Sequence, residues 1–458
     1  MPSEQVLATP VWNNRRLFSM IWPLIIEQVL AVTMGAADTV MVSSVGEFAV
    51  SGVNIVDNIN NLLIIAFAAL CTGGSVVVSQ YIGRRDAENA RAASRQLVYT
   101  VAAVSLVIMA VALTFRRPLI RLIYGRLDTD VMGAAQVYLL ITALSFPMLA
   151  CYNAAAALFR AVGNSKVTMR IALMVNIFNV GGNALFIFVF HLGVTGAALS
   201  TLIGRTAAAI VSMTLLIRGP RGPISLAGIL KVCGAAPRYA HSMVRNILNV
   251  GIPSGLESSM FQIGRLLTQR IFTTFGTAAI AGNAIASVIN AFSFMPGMAY
   301  GMALLTVVGQ CIGAGDYEAA RRNTVKIMKL SYATIFVTNL LIYIFMEQII
   351  GIFHLSGEAH RYAKIFLQVH CISMVIGWPP SFALPNALRA AGDARYVMIV
   401  ATITMWTIRV SAAYLLCYVV KIGPIGVWLA MGGDFVGRGV SYVLRWRSGK
   451  WQNKQVIS

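Results

Sequence analysis

Apolar residues run along this chain in long blocks rather than alternating with polar ones. Stretches such as Gln96–Phe115, Val194–Ile217 and Ser331–Met346 approach the roughly 20 residues that a bilayer-crossing helix needs. Backbone groups in hydrocarbon must be satisfied within the structure, so the blocks are helices or strands of a closed barrel. They lack strict two-residue alternation and are too long for barrel strands, which predicts helices. The pattern places six spans at about 17–42, 53–80, 96–115, 131–158, 167–190 and 194–217. Six more fall at about 247–273, 280–312, 326–346, 362–388, 396–420 and 424–444. The expected fold is therefore an all-α integral membrane protein of twelve transmembrane helices.

The second set of blocks repeats the first. A shift of 230 residues carries Pro23 and Glu27 onto Pro253 and Glu257, and Gly46, Ala49 and Gly52 onto Gly276, Ala279 and Gly282. The stretch Gln80-Tyr-Ile-Gly83 falls on Gln310-Cys-Ile-Gly313, with Asp86 following one and Asp316 the other. Farther on, Phe159-Arg-Ala-Val-Gly-Asn164 answers Leu388-Arg-Ala-Ala-Gly-Asp393. Each half has an even number of spans, so both enter the membrane in the same direction. That makes them parallel six-helix bundles related by a pseudo-two-fold axis along the membrane normal. The expected organisation is a segment at 1–16, an N-lobe at 17–217, a linker at 218–245, a C-lobe at 246–447 and a tail at 448–458. Two such lobes can rock to give alternating access, although duplication also occurs in channels and membrane enzymes.

Composition agrees: the chain is 58% hydrophobic and 11% charged over 458 residues, outside the range of ordinary soluble domains. The net charge of +20 would suit nucleic acid, but its placement points elsewhere. One face collects Arg84, Arg85, Arg91, Arg95, Arg160, Arg321, Arg322, Arg389 and the basic tail. The other holds Arg116, Arg117, Arg121 and Arg126 with Arg361, Lys364 and Lys421. The richer face is expected in the cytoplasm, with both termini there, in the cell's inner membrane. The first span is too long for a signal-peptide core and is expected to stay as an uncleaved anchor. Six scattered cysteines, Cys71, Cys151, Cys233, Cys311, Cys371 and Cys417, form no CxxC pair and read as small core residues.

Ionisable groups at membrane depth are costly and mark pathways or buried pairs. Five acids fall in the spans, Glu27, Asp38, Asp57, Glu257 and Asp434, against Arg205, Arg265, Arg270, Arg409 and Arg438. Asp434 and Arg438 are four apart, the spacing of a self-contained helical pair. Asp57 lies a turn inside the outer end of its span and is expected to reach headgroups. Glu27 and Glu257 are repeat mates and read equally as packing or as function, with Arg265 and Arg270 offering Glu257 partners on its own helix. Asp38 differs because its mate is Thr268. Asp38 follows Glu27 by eleven residues, about three turns, so the two share a face. Asn176, Asn179 and Asn183 lie on the fifth span, and Thr201 lies early on the sixth. A carboxylate with amide and hydroxyl oxygens suits a hard cation, and a desolvated Asp can equally carry a proton. Asn and Thr also glue helices together through hydrogen bonds, and spacing alone leaves these readings level.

The segments Ala37-Asp-Thr-Val-Met-Val-Ser-Ser-Val-Gly46, Gln80-Tyr-Ile-Gly83, Phe159-Arg-Ala-Val-Gly-Asn-Ser-Lys166 and Leu388-Arg-Ala-Ala-Gly-Asp393 resemble the multidrug and toxic compound extrusion (MATE) family over nearly the whole chain. The resemblance implies an antiporter that expels amphipathic, often cationic, compounds in exchange for Na⁺ or H⁺. It implies that Asp38 carries the coupling ion with Asn179, Asn183 and Thr201 as polar partners. Some relatives have a second Asp where this chain has Asn183. Another branch uses a seventh-span Glu, which Glu257 resembles, with an acid in the tenth span. The tenth span here, 362–388, has no acid, which favours the N-lobe site. No cofactor beyond the coupling ion is implied. The expected partners are small-molecule substrates and membrane lipid, without nucleic acid, and the chain is expected to work as a monomer.

Two rival readings remain at this level. A lipid-linked or anionic substrate is compatible with the same superfamily, and Arg265 and Arg270 leave it open. A membrane-embedded enzyme would need a nucleophile–base or metal constellation, which His191, His241, His354, His360 and His370 do not form. No P-loop, HExxH or GxSxG pattern occurs.

Overall fold

The computed structural model describes residues 12–125, 128–218, 222–226, 237–454 and 456–457. Residues 1–11 of the expected N-terminal segment lie outside it, as do Arg126, Cys233 and positions 219–221 and 227–236 of the expected linker. Among the described residues the chain forms helices and no strand. In order these are α1 (Asn14–Ser43), α2 (Glu47–Gly83), α3 (Ala87–Thr114), α4 (Arg116–Tyr124), α5 (Thr129–Leu144) and α6 (Phe146–Ala161). They continue with α7 (Ser165–Asn183), α8 (Gly193–Arg218), α9 (Pro237–Phe272), α10 (Thr277–Gly313), α11 (Tyr317–Ile344) and α12 (Met346–Gly351). The last are α13 (Gly357–Trp378), α14 (Leu384–Ala390), α15 (Ala394–Thr404), α16 (Ser411–Tyr414) and α17 (Ile425–Arg447).

Nine described helices are long and apolar enough to cross a membrane, and the bent pair α5–α6 adds a tenth. The pair bends by 48° at Ser145, just before Pro147, whose missing N–H breaks the ladder. The charged helices α9 and α17 complete the twelve spans expected from the pattern. Large apolar side chains point outward along them, with Val40 at 71%, Leu266 at 67% and Val419 at 69% exposed. In water such a surface would aggregate; in lipid it is the solvated face.

The duplication shows in the backbone. Helices α2 and α10 both have 37 residues, and α3 and α11 both have 28. Each of α3 and α11 starts from an aspartate cap, Asp86 accepting from the Asn89 N–H and Asp316 from the Ala319 N–H. Gly163 (φ 84°) and Gly392 (φ 88°) occupy the same left-handed turn, which costs a side chain but not glycine. Close helix contact is repeated too. A Cβ on Gly52 would stand 2.8 Å from that of Ala134, and one on Gly282 would stand 2.8 Å from that of Tyr362. Two compact units result, Phe18–Gly251 and the residues from Ile252 onward, the latter with the stretch that ends at Leu17.

One helix breaks the repeat. The fifth span, α7 with its continuation, covers 25 residues, whereas the eleventh, α15 with its continuation, covers 26. The fifth contains one π-helical turn, Ala184–Val189, and the eleventh contains two, Met405–Val410 and Leu415–Val419. A π turn accommodates one extra residue, so the turn at Met405–Val410 accounts for the insertion.

Candidate functional site

In the N-terminal unit, α1 brings Asp38 against the end of α7. The Asn183 Nδ2 donates to Asp38 Oδ1 at 2.5 Å, joining residues 145 apart in sequence. Asn183 stands immediately before the π turn Ala184–Val189, a distortion that re-aims side chains and often accompanies function. Asn179 lies one turn earlier on the same face, and both amides are buried, at 3% and 1% exposure. The Oδ1 atoms of Asn179 and Asn183 are sealed from solvent and have no hydrogen-bond partner. Buried acceptors left in that state are costly, and a bound cation or protonated group would satisfy them.

On its other side Asp38 opens to a recess walled by Asp57 and Asn54 of α2, Tyr138 of α5 and Thr201 of α8. Thr201 donates to the Ala197 carbonyl of its own helix at 3.1 Å, leaving hydroxyl lone pairs for the recess. Tyr138 faces both Asp57 and Thr201. Arg205, one turn beyond Thr201, is within electrostatic reach of Asp38 and Asp57, and its Nη1 donates to Ser145 Oγ at 2.8 Å. The structure thus gathers Asp38, Asn179, Asn183 and Thr201 from three helices. Asp57 joins them instead of reaching toward headgroups, because the inward face of α2 turns it into the recess. Tyr138 was not foreseen; one tyrosine in an apolar block carries no signal until α5 packs on α2.

Glu27 does not join this site, although it shares a helix face with Asp38. Its Oε1 accepts from Arg160 Nη1 at 2.8 Å and its Oε2 from Thr168 Oγ1 at 2.7 Å. The repeat reproduces the pair: Arg389 Nη2 donates to Glu257 Oε2 at 2.6 Å. Glu257 is therefore paired with Arg389 rather than with Arg265 or Arg270 of its own helix, and Arg265 is exposed. Arg160 and Arg389, counted above among the charges of the cytoplasmic face, are largely buried partners of these acids. Both stand at the second position of the repeated Phe/Leu-Arg-Ala motif, a signal that the motif's repetition already contained. Asp434 is not in a self-contained pair either. Arg438 Nε holds its Oδ1 at 2.9 Å, and Arg409 Nη1 stands 3.7 Å from its Oδ2. His360 Nε2 meets Glu347 Oε2 at 2.8 Å. No group of three or more His, Cys, Asp or Glu side chains suited to a metal ion occurs among the described residues.

A duplicated bundle of apolar helices, with a carboxylate and amide oxygens sunk inside one half, defines a multi-pass membrane transporter. The MatE family model matches residues 23–185 and again 253–415, and the chain belongs to this family of membrane efflux transporters, which is not an enzyme family. The Bacillus subtilis protein YisQ, described as an uncharacterized transporter, is 29% identical over 98% of this chain and 97% of its own. A probable multidrug resistance protein NorM of Thermotoga maritima is 25% identical over 100% of this chain and 96% of its own. Among solved structures, a MATE transporter in the bent conformation superposes with a TM-score of 0.87 at 18% identity, covering 96% of each chain. An outward-facing multidrug resistance MATE transporter superposes at 0.85 and 19% identity, over 95% of this chain and 94% of its own. At these identities the superpositions speak for the fold.

Proposed function

We propose that the chain is a secondary antiporter that exports amphipathic, cationic organic compounds in exchange for H⁺ or Na⁺ taken up at Asp38. The observation that carries this reading is the Asp38–Asn183 contact beside the two partnerless amide oxygens of Asn179 and Asn183. A monovalent cation entering there would meet a carboxylate, amide oxygens and the Thr201 hydroxyl, all hard ligands. A proton would neutralise Asp38 and turn its contact with Asn183 from a charge-assisted bond into a neutral one. Either event changes the tie between α1 and α7, and a ligand that favours one arrangement of α1 weakens another that favours the alternative. Glu27 is outside this exchange, since Arg160 and Thr168 occupy its oxygens.

In this reading the twelve spans lie in the cell's inner membrane with both termini in the cytoplasm, and a single chain suffices for transport. The relatives named as multidrug resistance proteins support drug-like substrates, and the oxygen ligands around Asp38 support the ion. The test is dye efflux from proteoliposomes under separately imposed Na⁺ and pH gradients. Efflux driven by at least one gradient is expected, and loss of that drive in Asp38→Asn. Drive by neither gradient, or full drive in Asp38→Asn, would overturn the proposal.

A further inference from the structure

The C-terminal unit holds a second polar cluster with the opposite charge balance. Arg409, Arg438 and Asp434 are 7%, 2% and 0% exposed, so two guanidinium groups share one carboxylate inside the helix bundle. Arg438 uses its Nε on Asp434 Oδ1 at 2.9 Å and on Thr404 Oγ1 at 3.2 Å. Arg409 Nη1 stands 3.7 Å from Asp434 Oδ2, too far for a hydrogen bond. Arg409 Nη1, Arg438 Nη2 and Asp434 Oδ2 are all sealed and lack a hydrogen-bond partner. A buried excess of one positive charge is expensive, and two idle N–H groups add to the cost.

Aromatic faces support the guanidiniums. Arg409 lies 5.0 Å from the Phe261 ring centre and Arg438 lies 5.6 Å from that of Phe382. Phe261 and Phe382 are only half-buried, which leaves the edge of the cluster approachable. The repeat gives an independent pointer. Arg409 falls in the extra π turn Met405–Val410, at the level of Asn179 in the first half. The level that carries the Asn179 amide in one half thus carries a cation in the other.

The geometry points to an anion-binding site at Arg409 and Arg438, made for a carboxylate, sulfonate or phosphate borne on an apolar or aromatic body. Each of the two idle N–H donors can take one oxygen of such a group, and Phe261 and Phe382 offer apolar surface for the body. The site is independent of Asp38 and of the antiport reading. An amphipathic organic acid and an anionic lipid headgroup present the same chemistry to it.

The test is equilibrium dialysis of the full chain in nonionic micelles against naphthalene-2-sulfonate, with 2-naphthylmethylammonium as the cation of matching shape. Saturable binding of the sulfonate that an excess of the ammonium does not displace is expected. Arg409→Gln should weaken the sulfonate about ten-fold or more, the loss expected when one member of a buried charge pair is removed. Asp434→Asn should tighten it, because the competing carboxylate is gone; a purely structural cluster would not respond so. Asp38→Asn should bind the sulfonate like the wild type, which separates this site from the coupling site. Competition by phosphatidylglycerol added to the micelles assigns the site to a lipid headgroup, and its absence assigns it to a soluble acid. Displacement of the sulfonate by the ammonium, unchanged affinity in a folded Arg409→Gln, or no tightening in Asp434→Asn would overturn the inference.

Discussion

At Asp38 a carboxylate sits where hydrocarbon surrounds the helix, and what makes it tolerable is the Asn183 amide and the open recess beside it. Asn183→Ala removes that donor and leaves the carboxylate to its other neighbours. We expect ion-driven efflux to fall by more than about ten-fold, in keeping with the 2–5 kcal/mol attached to a truncated buried charge contact, at normal expression. Asn183→Asp restores an oxygen ligand and adds charge, so it should retain drive and shift the ion dependence, checked by Na⁺ titration of efflux. Glu27 poses a different case, since its partner Arg160 is 19% exposed and the acid 10%. Glu27→Gln leaves a largely buried guanidinium short of its carboxylate and should cost about 3 kcal/mol of stability, read as a lower melting temperature in micelles. The double variant Glu27→Gln/Arg160→Gln should recover part of it, since the orphaned charge is gone. Asp38, Asn179, Asn183 and Thr201 stood out as candidates because a polar residue at membrane depth is conspicuous in an apolar block, but only the family resemblance joined them into one site. The partners of Glu27 and Glu257 were not, because Arg160 and Arg389 lie near span ends, where basic residues ordinarily mean topology.

At the scale of elements, apolar block length and repeat register made the spans visible, while breaks inside them stayed hidden. Nothing in the residues of Ala184–Val189 or Met405–Val410 announces a π turn, because such turns are set by packing against neighbouring helices and not by local preference. The same holds for α4 and α12, short helices after α3 and α11 whose residues read as loop or as span ends. The caps were partly readable: Asp86 and Asp316 repeat, and each accepts a hydrogen bond from a backbone N–H in the first turn of its helix. Asp86→Ala and Asp316→Ala should each cost about 1 kcal/mol, with the double variant close to additive because the two caps share no partner. Thermal unfolding of the three variants in micelles checks this. Gly52→Leu drives a side chain into Ala134 and Ala135 of α5 and should destabilise by about 1–3 kcal/mol, whereas Gly133→Leu, with open space at its Cβ, should not.

Across the whole molecule, the duplication preserves architecture and varies charge. The ion pairs Glu27–Arg160 and Glu257–Arg389 occur once in each half, as a repeated structural device should. Asp38, Asp57 and Arg205 have Thr268, Ser287 and Phe435 at the matching positions, so the first half carries the acidic recess alone. Arg409 and Arg438 give the second half its excess of positive charge. The fold was therefore open to a reader of the sequence, because two copies of a pattern check each other. The specialisation of each half was less so, since it depends on which inward residues meet. The measurement that tests the account most directly is proteoliposome efflux of a cationic dye under separate Na⁺ and pH gradients, comparing wild type with Asp38→Asn and with Glu257→Gln. The account predicts loss of gradient-driven efflux in Asp38→Asn and retained drive in any Glu257→Gln protein that folds; retained drive in Asp38→Asn would contradict it.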